Sequence, residues 1–239
     1  MPLPQIYMSR MDVEPEYLDK FTAWCKTRHW PDLVGVGFHS ANGYHSVAGG
    51  PLSCNVYEIP GMHVFSPDYA QIREVDEELQ VIVREKISNH SLTIHDQVAV
   101  YGVEQADETD DQDGAADQGP SLRAAWSCPA MSSVRFDAPA GADDEVVDLH
   151  RTTTFATLAE SPSFVRARLL READKHPTYP SPEPGWALLV EWADIDAAAA
   201  SESSLVDPLR ERLGDRADRM KFNAARHVFS LRNDRGWRP

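Results

Sequence analysis

The chain has 239 residues with 42% hydrophobic and 9% aromatic content, and its formal net charge is −15 at pH 7. This much apolar sequence can bury one large core or two modest ones, which argues against disorder throughout. The negative charge disfavours nucleic acids and anionic membranes as partners, because both are bound through cationic surface.

Three cysteines, Cys25, Cys54 and Cys128, lack CxxC spacing, so the sequence predicts neither a disulfide framework nor a thiolate zinc site. The first residues do not show a basic region followed by an apolar run, and no segment is apolar for long enough to cross a bilayer. We therefore expect a cytoplasmic protein without a membrane partner.

The first half of the chain predicts the order strand, helix, strand, strand, helix, strand. Apolar or alternating runs place the strands at 5–11, 34–44, 52–59 and 93–101, and Ala48-Gly49-Gly50-Pro51 predicts a hairpin between the second and third. Asp12 or Glu14 opens a helix whose first turn contains Pro15. Its apolar stripe consists of Tyr17, Phe21, Trp24, Cys25 and Arg28. The second helix is marked by Ile72, Val75, Leu79, Ile82 and Val83.

An acidic segment separates the two halves. From Glu104 to Asp117 there are seven acidic residues and no Lys or Arg. Such a segment repels itself and buries little surface, so we expect a solvated linker over 104–130.

The second half, 131–239, predicts the same order of elements as the first, 1–103. Strands are expected at 133–137, 164–171, 186–192 and 225–231, with helices at 143–154 and 203–213. The connection before the third strand is rich in proline and longer than its counterpart.

The two halves also share residues at a constant offset of 125 positions. Arg10 and Asp12 recur as Arg135 and Asp137, and Leu33 recurs as Leu158. Each half has the βαββαβ order of the ferredoxin-like motif, and two such open sheets can close against each other. The predicted fold is α+β, with two tandem ferredoxin-like repeats whose antiparallel sheets pack as an α+β barrel.

The first half resembles the dimeric α+β barrel superfamily, which includes EthD-like proteins, small polyketide cyclases and cofactor-free monooxygenases. The resemblance rests on Pro15-Glu16-Tyr17 opening a helix, on Phe21, Trp24, His29 and Pro31-Asp32-Leu33, on Gly35-Val36-Gly37-Phe38, and on Gly50-Pro51 before Tyr57-Glu58. It covers residues 5–103, and 131–232 only as a degenerate copy. It implies a barrel supplied by one chain or by a homodimer, and a pocket between sheet and helices for a small aromatic or polyketide-like molecule, with few or no metal ligands.

His29 is the first candidate for catalysis. It matches the histidine of the family pattern, and an imidazole with an ordinary pKa near 6.5 can act as base or acid at neutral pH. The alternative is a histidine that caps the first helix or stacks on Trp30. The aligned residue of the second half is Thr154, which predicts one pocket per chain, in the first half, with the second half as scaffold.

The remaining candidates are polar or aromatic residues of the same half. Tyr44 and His45 are further catalytic candidates, and the substrate-binding candidates are Trp24, Trp30, His39, Asn55 and Tyr57. We expect His39 and His45 to share one strand face with Gly43, with Tyr44 on the opposite face. Each histidine is equally compatible with a solvent-facing role, and each aromatic residue with a core role. We expect no metal site, because no metal-ligand spacing supports one.

These residues predict a cofactor-independent enzyme. His29 would abstract a proton from a phenol or activated carbon, and Tyr44, His45 or Asn55 would stabilise the oxyanion. Lyase, cyclase and monooxygenase outcomes all begin this way. The alternatives are a protein that binds an apolar ligand or a haem, with His29 or His39 as axial ligand, and an interaction domain without a cavity.

Overall fold

Eight strands are present in the described part of the chain, which in this computed structural model is residues 3–75, 81, 85–102, 128–216 and 218–233. They are β1 Gln5–Val13, β2 Ser40–Gly49, β3 Ser53–Ile59, β4 Ile87–Gly102, β5 Ala130–Asp137, β6 Phe164–Asp174, β7 Trp186–Trp192 and β8 Asp218–Arg232. Strands β1, β3, β5 and β7 are buried at almost every position, because one face points into the barrel and the other is covered by the helices.

The strands close into one antiparallel barrel in the order β1-β3-β2-β8-β5-β7-β6-β4. Each half contributes four neighbouring strands, β4-β1-β3-β2 and β8-β5-β7-β6, so corresponding strands have the same neighbours in both. Pairing of β2 with β8 and of β4 with β6 joins the halves. The barrel leaves no sheet edge open, and a single chain closes it without a partner.

The helices pack outside the barrel. Within the described ranges they include α1 Leu18–Trp24, α2 Trp30–Gly35, α3 Pro67–Val75, α4 Asp143–Leu149, α5 Phe155–Ala159, α6 Ile195–Ala200 and α7 Glu202–Leu213. A π-helical turn, Cys25–His29, joins α1 to α2, and a second, His150–Thr154, joins α4 to α5. These turns also correspond at an offset of 125.

Several predicted boundaries are wrong, among them the starts of β4 and β8, which begin at Ile87 and Asp218 rather than at 93 and 225. The strand expected at 34–44 begins only at Ser40, because buried Trp30 and Leu33 continue the helix through Gly35. Ala130, which the prediction placed in the linker, begins β5, and Cys128 is buried; the rest of the predicted linker, 104–127, lies outside the described residues. The second helix begins at Pro67, and the expected helical positions 79, 82 and 83 lie outside the described residues.

The repeated Asp residues have the same local role in both halves. Asp12 Oδ1 accepts a hydrogen bond from the Leu52 backbone N–H at 2.8 Å, and Asp137 Oδ1 accepts one from Gly185 N–H at 2.9 Å. In each half a bulge precedes the aspartate, between Arg10 and Asp12 or between Arg135 and Asp137. The recurring residues therefore fix the hairpin that faces them.

The barrel interior combines apolar packing with a buried ionic network. Its apolar residues are Ile6, Met8, Tyr44, Cys54, Val56, Met131, Leu170, Ala187, Leu189 and Ala225. Arg168 on β6 donates from Nη1 to Glu58 Oε1 at 3.2 Å and from Nε to Glu191 Oε1 at 3.1 Å. Glu58 belongs to the first half and Glu191 to the second, so one guanidinium ties the two halves together from inside.

The helical side of the second half contains a buried histidine that should make stability depend on pH. His150 is 0% exposed; burial lowers its pKa from 6.5 to about 4, and the hydrogen bond from Nδ1 to the Val146 carbonyl opposes that shift. Between these two pKa values the unfolded chain binds a proton that the folded chain does not, so stability falls as pH falls from about 6.5 to about 4. Above that window the ring is neutral in both states and contributes no pH dependence.

We expect His150→Leu to flatten this acid dependence. Urea unfolding at pH 7 and pH 5 should show that the wild type loses about 2 kcal/mol more than the variant over this interval. Equal losses in the two proteins would contradict the neutral state assigned to His150.

Candidate functional site

A cleft in the first half lies between the outer face of the sheet and the helices. It has a volume of about 510 Å³ counted with the solvent at its mouth. Its lining consists of Tyr7, Ser9, Met11, Phe21, Trp24, His29, Asn55, Tyr57, Tyr69, Ile87, His90 and Leu92. An apolar cleft with a few polar groups is the usual form of a small-molecule site.

His29 reaches this cleft because of the π-helical turn. The turn ends at His29 and shifts the helical phase, so Arg28, predicted on the apolar stripe, is exposed, whereas His29 is half-buried. Its ring stacks on Trp24 with centroids 4.8 Å apart and planes at 18°. The predicted alternative of stacking on Trp30 is therefore wrong, and the imidazole lies beside an aromatic wall.

Asn55 and Tyr57 lie on the same face of β3 and both line the cleft. Burial raises the pKa of Tyr57 well above 10, so its phenol stays protonated at neutral pH. Trp30 Nε1–H donates to the Tyr57 oxygen at 3.2 Å, and Asn55 hydrogen-bonds the same phenol. Tyr57 is thus suited to donate a hydrogen bond rather than to act as a base.

Trp30 acts behind the cleft rather than as its wall. The indole is 2% exposed and stacks on Phe229 at 5.4 Å, so its role is to hold Tyr57. Gly43 makes room for it, since a Cβ at residue 43 would lie 2.7 Å from Trp30 Cζ2.

Replacing Gly43 by alanine should therefore displace Trp30 and destabilise the protein by about 1–3 kcal/mol. Gly35→Ala is the matched control, since no atom lies within 4 Å of the added Cβ and the position is an exposed helix end. Urea unfolding of both variants tests this, and equal stabilities would contradict the close packing of Trp30 on β2.

Besides Trp30, three predicted site residues lie outside the cleft. Tyr44 faces the barrel interior, on the other side of the sheet, and is 0% exposed. His45 lies on the helical side as expected, but its Nε2 is 3.0 Å from Thr22 Oγ1, away from the lining. His39 precedes β2, half-buried near Glu58 and His63. The predicted group of His29, His39 and His45 is therefore not brought together.

Several lining residues were not predicted. Tyr7, Ser9 and Met11 are alternate residues of β1, and this period-two pattern was the available signal. His90 lies on the part of β4 that precedes its expected start, and its Nε2 is 3.4 Å from Ser9 Oγ. Tyr69 was missed because its helix begins earlier than the apolar pattern suggested.

The corresponding region of the second half is packed with side chains. Thr154, at the position of His29, is 1% exposed, and His150 stacks on Phe136 at 6.0 Å. Among the described residues, no group of three or more His, Cys, Asp or Glu is placed to hold a metal ion. No helix within the described ranges is long and apolar enough to span a membrane.

Comparison with known proteins supports the fold. An anthrone oxidase-like protein has a TM-score of 0.66 at 14% identity, covering 97% of this chain and 94% of its own. A provisionally assigned monooxygenase from Fusobacterium nucleatum subsp. nucleatum has a TM-score of 0.59 at 13% identity, covering 97% and 95%. A heme-binding protein from Thermus thermophilus has a TM-score of 0.51 at 9% identity, covering 96% and 92%.

No family model and no curated protein matches the chain. At these identities the solved structures define the fold alone. The chain has the ferredoxin-like α+β barrel fold of these proteins, as the resemblance predicted.

Proposed function

We propose that the protein is a cofactor-independent enzyme that acts on a small aromatic or polyketide-like compound by histidine-assisted proton transfer. The observation that carries this proposal is the placement of His29 beside an aromatic cleft formed by Trp24, Tyr7 and Tyr57. Aromatic walls suit a planar ligand, and an imidazole at its edge supplies a group that can exchange a proton near neutral pH.

In the proposed reaction His29 removes a proton from a phenol or an activated carbon. The neutral phenol of Tyr57 donates a hydrogen bond to the oxygen on which negative charge develops, and Asn55 orients that phenol. Trp30 restrains the donor from behind. Tyr44 and His45 have no part in this scheme, because they lie outside the cleft.

Oxygen insertion is the outcome that we propose to test first, with lyase and cyclase outcomes as alternatives. The anthrone oxidase-like neighbour suggests an anthrone as substrate. His29 would take a proton from the anthrone methylene carbon, and the resulting anion would react with dioxygen. The balance is anthrone plus O₂ giving anthraquinone plus water, so dioxygen is the oxidant and supplies the new carbonyl oxygen.

We also propose that the chain arose by tandem duplication of an EthD-like or polyketide-cyclase-like module, with residues 1–103 as the active half. The support is the shared order of strands, the paired π-helical turns and the equivalent hydrogen bonds of Asp12 and Asp137. On this view the first half kept an imidazole at residue 29, whereas the second half has Thr154 and a scaffold role.

Binding of a haem is the second candidate, favoured by the likeness to the heme-binding protein of Thermus thermophilus. The residues fit it poorly. Of the two predicted axial ligands, only His29 lines the cleft. A Soret band on addition of haem, lost in His29→Ala, would nevertheless favour this candidate.

The proposal is tested by aerobic incubation of the purified protein with a panel of phenols, anthrones and linear polyketide analogues. Mass spectrometry of the products and measurement of oxygen uptake separate the outcomes. We expect one class of these compounds to be converted without added metal, flavin or haem. Conversion of none, combined with no quenching of tryptophan fluorescence by any compound, would contradict it.

A further inference from the structure

A buried histidine of the second half reaches the wall of the cleft in the first half. His176 lies in the 175–185 connection between β6 and β7, and it is 1% exposed although the connection is irregular. Its ring lies 5.7 Å from that of Tyr7 and 5.0 Å from that of Phe65. The corresponding connection of the first half, 50–52, is a short turn, so this contact is made by the second half alone.

The hydrogen bonds of His176 fix which ring nitrogen carries the proton. Nδ1 accepts from the backbone N–H groups of Thr178 and Tyr179, each at 3.2 Å. A nitrogen that accepts hydrogen bonds presents its lone pair, so the proton of the neutral ring is on Nε2. Nε2 lies 3.1 Å from the Tyr69 phenol oxygen, and its N–H donates to that oxygen.

This bond also orients the phenol of Tyr69. Because the oxygen accepts from His176, the phenol's own proton must point away from the imidazole. Tyr69 lines the cleft, is 6% exposed, and is held by a stack on Phe38 with centroids 6.1 Å apart. Tyr57 is a second phenol in the lining of the same cleft, and phenols are among the donors that can stabilise an oxyanion.

We propose that Tyr69, positioned by His176, donates a hydrogen bond to the oxygen of the aromatic ligand, so that the second half completes the site of the first. This inference rests on the proposed function and adds a specificity to it. The cleft should select a ring that carries a hydroxyl or carbonyl oxygen over a hydrocarbon of the same shape. In this arrangement His176 is a positioning residue. The 175–185 connection is longer than its counterpart because it places His176 against Tyr69.

The pair 1-naphthol and naphthalene tests the inference, since the two compounds differ by one oxygen. Their dissociation constants, from quenching of tryptophan fluorescence, should differ by about three- to tenfold in the wild type in favour of 1-naphthol. We expect Tyr69→Phe and His176→Phe each to lose most of that ratio, and the double variant to lose no more than either alone. Lys175→Ala, an exposed change in the same connection, should keep the wild-type ratio.

The ratio separates this role from a structural one, because a distorted cleft would weaken both compounds together. A wild-type ratio retained in Tyr69→Phe and His176→Phe would overturn this inference and leave the proposed function standing. Wild-type protein that binds neither compound would also overturn this inference, and the proposed function would then be decided by the wider panel of phenols, anthrones and polyketide analogues. If His176→Phe does not fold, Tyr69→Phe decides the question, since it removes one oxygen and keeps the ring.

Discussion

Replacing Arg168 by methionine is expected to destabilise the protein by about 3–5 kcal/mol. The guanidinium is buried inside the barrel and donates to two buried carboxylates, Glu58 at 3.2 Å and Glu191 at 3.1 Å. Methionine fills similar volume, so the main effect is the loss of the cation. The carboxylates then lie in a low-dielectric interior without that partner, which is the costly way to break a buried ion pair.

The measurement is the free energy of unfolding in urea, with Arg171→Met as control. Arg171 lies on the same strand and pairs with Asp143 at 2.6 Å, but both side chains are nearly half exposed. An exposed pair contributes about 0–1 kcal/mol, so the control should lose no more than that. Equal losses in the two variants would contradict the role assigned to the network that joins the halves.

His29→Ala is expected to lower kcat by about 10²–10⁴-fold on the substrate identified by the panel. The change removes the imidazole that lines the cleft while keeping the helical backbone. The loss corresponds to about 3–5 kcal/mol of transition-state stabilisation.

His45→Ala is the matched comparison for this prediction. It removes a half-buried histidine of the same half whose Nε2 contacts Thr22 rather than the cleft. We expect its kcat to stay within about threefold of the wild type. Activity of His29→Ala within that same range would remove His29 from the proton-transfer step.

Much of the fold could be predicted because it depends on the spacing of apolar residues and on the Gly and Pro residues that separate the elements. The runs at 52–59 and 186–192 alternate or remain apolar, and they form β3 and β7 almost as expected. The repeated Arg10 and Asp12 indicated equivalent halves, and corresponding strands do have the same neighbours in the barrel. Order of elements is a local property of sequence, so composition and spacing are sufficient to predict it.

The candidate site was only partly predictable. Its composition depends on which way each helical side chain points and on contacts between residues that are distant in sequence. Trp24, His29, Asn55 and Tyr57 were chosen from the first half and all line the cleft. The π-helical turn that brings His29 there has no recognised sequence signal, and it made the helical stripe wrong at Arg28. His176 lies 107 residues from Tyr69, and only closure of the barrel brings the two together.

The central claim is that the cleft beside His29 binds an aromatic ligand, and a crystal structure of the protein with 1-naphthol tests it most directly. The account predicts the naphthalene ring in the first-half cleft, against Trp24 and Tyr57, with its oxygen within hydrogen-bond distance of His29 or a lining phenol. Ligand density only at another site, with this cleft unchanged under saturating 1-naphthol, would contradict it.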